Sequence, residues 1–241
     1  MPAEYPRAVH PVTKAEFLAT ARNIAATINK PIEANFKAFL LFAYDNPTII
    51  NKMAKVSLAN ASSAREVKSF LQDYVLKYFN KRDERIALKL VSTKPDMAVD
   101  FVLEVFGKHP VHLLDIAMEY HRLSMAAENK VGDLLEHYLT KQLEPHGWFW
   151  CSCNIIKGVD FFKPGKPVTL LQIKNRSNSE NSSSSAIRKH LEENGCPVKI
   201  DKWYRINAST GKTYWETLPG NSQLQMASEK GFHEYIKTYF N

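Results

Sequence analysis

Asp160, Gln172 and Lys174 are the residues of this 241-residue chain whose types and spacing could do chemistry together. Asp160 follows Gly158-Val159, eleven residues separate it from Gln172, and Gln172-Ile173-Lys174 sets an amide and an ammonium two apart. Two strands joined by a tight turn lie side by side, and residues two apart on a strand share a face. One carboxylate, one amide oxygen and one ammonium can therefore meet a divalent ion and a phosphodiester. Phosphodiester hydrolysis needs a Lewis acid against the charge that builds on the phosphorus oxygens, an activated water and a nearby cation. Asp160 is an acceptable Mg²⁺ ligand, Gln172 supplies a neutral oxygen where an acidic residue often stands, and the Ile173 carbonyl is a further hard donor. Lys174 could lower the pKa of the attacking water or hold the phosphate. The pattern alone is weak, because an aspartate in an ordinary turn and a polar pair on an exposed strand would also produce it. The near-continuous β-type run from Val168 to Leu171, directly before Gln172, argues against an exposed edge.

The second half of the chain supplies the strands such a site needs. Trp148 to Ile156 is rich in strand formers, and Val168 to Ile173 reads as a buried central strand. Between them, Gly158 and the Lys163-Pro164-Gly165-Lys166-Pro167 segment give turns around a short strand at Val159 to Phe162. A Ser/Asn-rich loop, Ser177 to Ser185, leads into a helix from about Ala186 to Asn194. Val198 to Ile206 and Lys212 to Thr217 read as further strands, and Ala227 to Tyr239 as a closing helix.

The first half reads as helical. Phe17, Ala21, Ile24 and Ile28 recur at helical spacing, as do Ile32, Phe36, Phe39 and Leu40. Asn46-Pro47 predicts a helix start with Ile49, Ile50, Met53 and Val56 on its apolar face. Ser63 with Glu66 resembles a capping box for a helix that buries Val67, Phe70, Leu71, Tyr74 and Val75. Helices over Asp83 to Val91, Asp96 to Phe106 and Val111 to Gln142 follow, the last broken near Ala126. A second Pro-Asp pair, Pro95-Asp96, lacks the lysine the site needs and reads as a helix cap. The expected division is a helical region over 1–110 and an α/β region over 111–241 that carries the chemistry.

Composition narrows the partners. Hydrophobic residues make up 44%, enough for a sizeable core, and the net charge of +7 suits a polyanion such as DNA or RNA. Three cysteines are too few and too closely set for a secreted disulfide framework, and no signal region or membrane-length apolar stretch is present. A cytoplasmic protein away from the membrane is expected. The histidines form no paired-ligand pattern, and no spacing supports a zinc site.

The segment after Lys174 runs Asn175-Arg176-Ser177-Asn178-Ser179-Glu180-Asn181-Ser182-Ser183-Ser184-Ser185-Ala186-Ile187-Arg188. Asn and Ser are short donors and acceptors, and Arg offers a fork for guanine O6 and N7. A flexible linker would have the same composition, but its place directly after the candidate strand suits a DNA-reading loop. Asn175, Arg176, Ser177, Asn178, Asn181, Ser182 and Arg188 are the candidates for DNA contact.

Residues 120 to 215 resemble the PD-(D/E)XK nuclease core in the variant where Gln replaces the second acidic residue. Asp160, Gln172 and Lys174 match its catalytic positions, with Asp160, Gln172 and the Ile173 carbonyl toward the metal. The family also implies a Glu on the preceding helix, for which Glu128 is favoured over Glu136. Gly158-Val159 departs from the family by standing where its name-giving proline precedes the aspartate. The tract Gln172-Ile173-Lys174-Asn175-Arg176-Ser177-Asn178-Ser179-Glu180-Asn181-Ser182-Ser183-Ser184 further resembles small type II restriction endonucleases of the SinI kind. That resemblance implies an α/β PD-(D/E)XK restriction-endonuclease-like core, a mixed central sheet flanked by helices, behind an α-helical N-terminal region. It also implies Mg²⁺ as cofactor, double-stranded DNA cut at a short GC-rich palindrome, a homodimer, and a cognate methyltransferase in the same system but not bound. The alternatives are a non-catalytic nucleic-acid binder and a repair or structure-specific nuclease on the same core.

Overall fold

A computed structural model describes residues 10–87, 105, 111–177, 182–193, 195–221 and 227–240. The chain divides into two compact units, residues 1–84 with 136–241, and residues 85–135. In the first unit, helices α1 (Lys14–Ala26), α2 (Ala34–Asp45) and α3 (Ala64–Asp83) come before the strands. Helix α4 (Val111–Leu143) starts in the second unit and ends in the first. Strands β1 (Phe149–Trp150), β2 (Phe161–Lys163) and β3 (Thr169–Arg176), helix α5 (Ser182–Glu193), strand β4 (Ile200–Ile206) and helix α6 (Glu229–Phe240) follow.

The four strands form one mixed sheet in the order β1-β2-β3-β4. The first two pairings are antiparallel, and β3 pairs with β4 in parallel. A parallel pair needs a crossover, and α5 is that crossover. Register separates the two faces. Phe149 pairs with Phe162, Phe162 with Leu170, and Leu170 with Ile200, so these four form one row across the sheet. All four join the core of Phe36, Phe39, Leu71 and Val75 from α2 and α3. Trp150, Phe161 and Leu171 form the neighbouring row, on the other face. Farther along that face, the Trp203 ring lies 5.3 Å from Trp215, which meets Tyr138 of α4 and Phe232 of α6.

Local chemistry explains most element ends. Thr13 and Glu16 make a full capping box at α1, with the Glu16 N–H donating to Thr13 Oγ1 at 3.2 Å. Ser63 caps α3 through the Glu66 N–H at 3.3 Å, but the Glu66 carboxylate turns to the Ser62 N–H and hydroxyl instead of closing the box. The helix expected after Asn46-Pro47 is only a 3₁₀ turn, Pro47–Ile49. Asn46 bonds back to Phe42, Ile50 bridges to Ile156, and Ala54 and Lys55 take positive φ in a turn closed by Met53 and Val56.

The strand expected over Trp148 to Ile156 is shorter for a similar reason. It stops at Trp150, and Cys153 and Asn154 adopt left-handed conformations in a 3₁₀ turn that brings Ile156 to Ile50. The strand expected at Lys212 to Thr217 is a single bridge, Ile206 to Thr213, and a 3₁₀ turn at Trp215–Thr217. Helix α4 runs without the expected break at Ala126, and α5 begins at Ser182, ahead of the expected Ala186. Past α3, residues 84–87 are not helical, and apart from Val105, which is helical, the rest of the two helices expected before Phe106 lies outside the described residues, as does Pro95-Asp96. Among the described residues, no helix is long and apolar enough to cross a membrane.

Phe39 joins the helices to the sheet, with its ring stacked on Phe149 at 4.6 Å and edge-on to Phe162 at 5.6 Å. Its side chain is fully buried. Phe39→Ala is expected to cost about 3–5 kcal/mol in urea unfolding, the usual loss for a buried phenylalanine. A loss below about 1 kcal/mol would show that this junction is not a packed core.

Candidate active site

Gly158 sets the entry to β2 with φ of +74°, a left-handed conformation that favours glycine. A Cβ added there would meet Gln172 Nε2 at 3.6 Å and Ile187 Cγ2 at 3.8 Å. The turn therefore lies against both the central strand and α5. Two residues on, the Asp160 carbonyl accepts from the Cys151 N–H at 2.8 Å, and its own N–H donates to the Leu171 carbonyl at 2.9 Å. Phe161 pairs with Leu171, the last position of the β2–β3 register, and the Asp160 N–H bonds that same Leu171 carbonyl, so Asp160 stands at the end of the ladder beside Gln172. Gln172 and Lys174 are two apart on β3 and leave the sheet on one side.

The Asp160 carboxylate accepts a hydrogen bond from the Ile173 N–H at 2.6 Å. It thus sits against the backbone between Gln172 and Lys174. A strand residue's N–H and C=O point to the same edge, so the Ile173 carbonyl also faces the Asp160 side. Burial raises the Asp160 carboxyl from 3.8 to about 6, against the opposing pull of the Ile173 N–H and then the Lys174 ammonium. A cation at this carboxylate would favour its charged form. The donors therefore suit one hard divalent ion that keeps much of its water shell, since one anion and neutral oxygens make a sparse cage. Among the described residues, no group of three His, Cys, Asp or Glu side chains could hold a metal.

Gln172 is buried, and its Oε1 accepts from Arg188 Nη1 of α5 at 2.8 Å. The other predicted residues divide by their partners. Asn175 Oδ1 accepts from Arg205 Nε at 2.9 Å, and Arg205 in turn pairs with Glu229 of α6. Glu229 also accepts from Trp215 Nε1 at 2.8 Å. The Ser177 N–H donates to the Ile206 carbonyl at 3.0 Å, and its hydroxyl accepts from the Ala208 N–H at 3.1 Å. Asn175 and Ser177 thus have partners within the fold, and Arg176 is exposed at the strand end. Asn178 and Asn181 lie outside the described residues, and Ser182 is the first residue of α5.

Glu136 Oε2 accepts from Trp150 Nε1 at 3.1 Å. Trp150 is in the Phe161–Leu171 row, so this carboxylate is engaged on the face opposite Gln172 and Lys174. Glu128 is exposed on α4, within the 85–135 unit. Two features escaped the sequence reading: the Arg188 bond to Gln172, and the Arg205–Glu229–Trp215 cluster behind Asn175. Helical spacing could have set Ile187 inward beside Arg188, but no local signal pairs Arg205 with Glu229.

A mixed sheet between helices, with the Asp160 turn against the Gln172-x-Lys174 strand, is a PD-(D/E)XK restriction-endonuclease-like fold. Residues 18–241 match the family described as SinI restriction endonuclease. The chain is similar to the type II restriction enzyme Eco47I of Escherichia coli, 36% identical over 234 residues that cover 95% of each chain. It is equally similar to the type II restriction enzyme SinI of Salmonella infantis, 36% identical over 238 residues that cover 96% of each. The chain belongs to the SinI restriction endonuclease family.

The Asp160 environment has a consequence for stability. Its folded pKa of about 6 exceeds the ordinary 3.8, so between those values the folded chain holds a proton that the unfolded chain releases. Stability from this group therefore falls as pH rises through that window. In metal-free buffer, Asp160→Asn is expected to raise the melting temperature at about pH 7.5 and leave it unchanged near pH 4. An equal effect at both values would contradict the buried, charged carboxylate.

Proposed function

We propose that this chain is a type II restriction endonuclease that cuts double-stranded DNA at a short GC-rich palindrome, leaving 5′-phosphate and 3′-hydroxyl ends. The observation that carries the proposal is the Asp160 carboxylate held against the Ile173 N–H, between Gln172 and Lys174. Asp160 and the Ile173 carbonyl are the donors for Mg²⁺, and Gln172 lies beside them. When bound, the ion supplies charge neutralisation on the phosphorus oxygens and a lower pKa for its water. Lys174 offers a fixed ammonium to the phosphate or to the attacking water. Glu128 is proposed as the supporting acidic group.

The electrostatics suit the substrate. A cleft beside β4 is lined by the cations Arg188, Lys199 and Lys202 and by the carboxylates Glu192 and Asp201. Lys202 pairs in register with Gln172, so its side chain shares the face that carries Gln172 and Lys174. A phosphate backbone laid along it would pass from Lys202 toward Lys174. Asn175, Arg176, Ser177, Asn178, Asn181, Ser182 and Arg188 are proposed to contact DNA, with Arg176 the exposed fork for a base edge. A palindromic site read by identical halves calls for a homodimer. A cutter of this kind belongs with a methyltransferase that protects the host's own sites, in the cytoplasm where that DNA lies.

Alanine at Asp160 or Lys174 is expected to slow plasmid cleavage by about 10²–10³-fold or more, the scale of losing a preorganised charge at a reacting phosphate. Gel-shift binding should survive in both variants, and EDTA should stop the wild-type enzyme. Discrete fragments would separate a site-specific cutter from a repair nuclease. A salt-sensitive shift without cutting would support the non-catalytic binder and defeat the proposal.

A further inference from the structure

Gln172 is 3% exposed, and its Oε1 accepts from Arg188 Nη1 at 2.8 Å. A guanidinium has donors and no acceptor, so the amide must turn its oxygen toward Arg188. The amide nitrogen then falls on the Gly158 side, where a Cβ on that glycine would meet Nε2 at 3.6 Å. Ile187 packs against the same glycine and holds this turn of α5 over the strand. The Arg188 donor thus sets which way the carboxamide faces, with its nitrogen toward the Gly158 turn. A divalent ion sharing that oxygen would sit close to a fixed positive charge and be repelled by it.

We propose that Gln172 is a positioning residue for Arg188 and not a ligand of the divalent ion, and that the guanidinium it holds is a second positive charge, beside Lys174, for the scissile phosphate. This takes Gln172 out of the ligand set suggested by its place in the motif and leaves Asp160 and the Ile173 carbonyl. The residue types fit the assignment. A glutamate at 172 would cancel Arg188 in a buried ion pair, whereas a neutral amide anchors the cation and preserves its charge. Arginine suits the role better than lysine, because a planar fork can anchor through one N–H and grip a phosphate through others. Arg188 lines one cleft with Lys199 and Lys202, and with the carboxylates Glu192 and Asp201, so three cations against two acids face whatever backbone passes there. The phosphate contact rests on the nuclease reading; the anchoring of Arg188 does not.

The test is Mn²⁺ titration calorimetry on the full chain, as wild type and as Asp160→Ala, Gln172→Met and Arg188→Met, with thermal melts to verify folding. Single-turnover cleavage of supercoiled plasmid is measured on the same proteins and on the Gln172→Met/Arg188→Met double variant. Asp160→Ala should lose Mn²⁺ binding, while the other two single variants keep it within about threefold or bind tighter, as removal of a nearby cation requires. Each should slow cleavage by about 10–100-fold, the usual effect of losing a supporting residue. The double variant should be no slower than the slower single one, because the two side chains act as a unit.

A Mn²⁺ affinity about tenfold or more weaker in Gln172→Met would make Gln172 a ligand and overturn the proposal. Multiplicative losses in the double variant would also overturn it, by separating the two residues. If Gln172→Met does not fold, Arg188→Met decides alone: unchanged or tighter Mn²⁺ binding supports the proposal, and weaker binding overturns it. A wild-type chain that binds Mn²⁺ but cuts no plasmid would remove the nuclease reading, and the Gln172→Met affinity would still decide the ligand question.

Discussion

The 2.6 Å hydrogen bond from the Ile173 N–H to the Asp160 carboxylate joins a turn to the central strand, and the site's other distances follow from it. Burying a carboxylate is unfavourable, as its rise to about 6 records, and one backbone N–H with a lysine nearby only partly offsets the loss of water. The fold tolerates this because Asp160 is pinned on both sides, by the Cys151 N–H and by the Leu171 carbonyl. A residue held in that way, at a thermodynamic loss without a partner cation, is what a metal-assisted site requires. The same bond carries the Ile173 carbonyl to the Asp160 edge.

The sheet divides its labour by face and by distance along the strands. On the face that carries Gln172 and Lys174, the row from Phe149 to Ile200 is buried in the N-terminal helical core, which gives β2 and β3 a rigid base. Farther along β3 the same face passes to Gln172 and Lys174, and there α5 replaces apolar packing with Arg188. The opposite face stays aromatic, through Trp150, Trp203 and Trp215, and binds α4 and α6 to the sheet. Glu136 serves that face through the Trp150 indole. Behind Lys174, the Asn175–Arg205–Glu229 chain fixes the end of β3 against α6 and limits how far the lysine's backbone can shift.

Much of this was legible from residue order because it is local. A glycine, an aspartate, a short strand, a Pro-Gly turn and an apolar run ending in Gln172-Ile173-Lys174 define a strand-turn-strand unit whose register needs no distant partner. The helices of the first half followed from 3.6-residue periodicity and from caps at Ser63 and, unnoticed, at Thr13. Where tertiary contacts decide, the sequence misled. Met53 and Val56 have helical spacing but close a turn, because Ile50 is drawn to Ile156. Trp148 to Ile156 has strand composition but bends after two strand residues so that Ile156 can reach that bridge. The partners of Gln172 and Asn175 come from α5 and β4, 16 and 30 residues away, and no local pattern encodes such pairs. Arg188 was visible as a candidate for DNA, but its bond to Gln172 was not.

Anomalous diffraction from crystals of the wild-type protein soaked in Mn²⁺ bears most directly on whether the Asp160 turn and the β3 edge form a divalent-cation site. A peak is expected in coordination contact with an Asp160 carboxylate oxygen and the Ile173 carbonyl. A clean map at that position, with Mn²⁺ bound elsewhere on the chain, would contradict it.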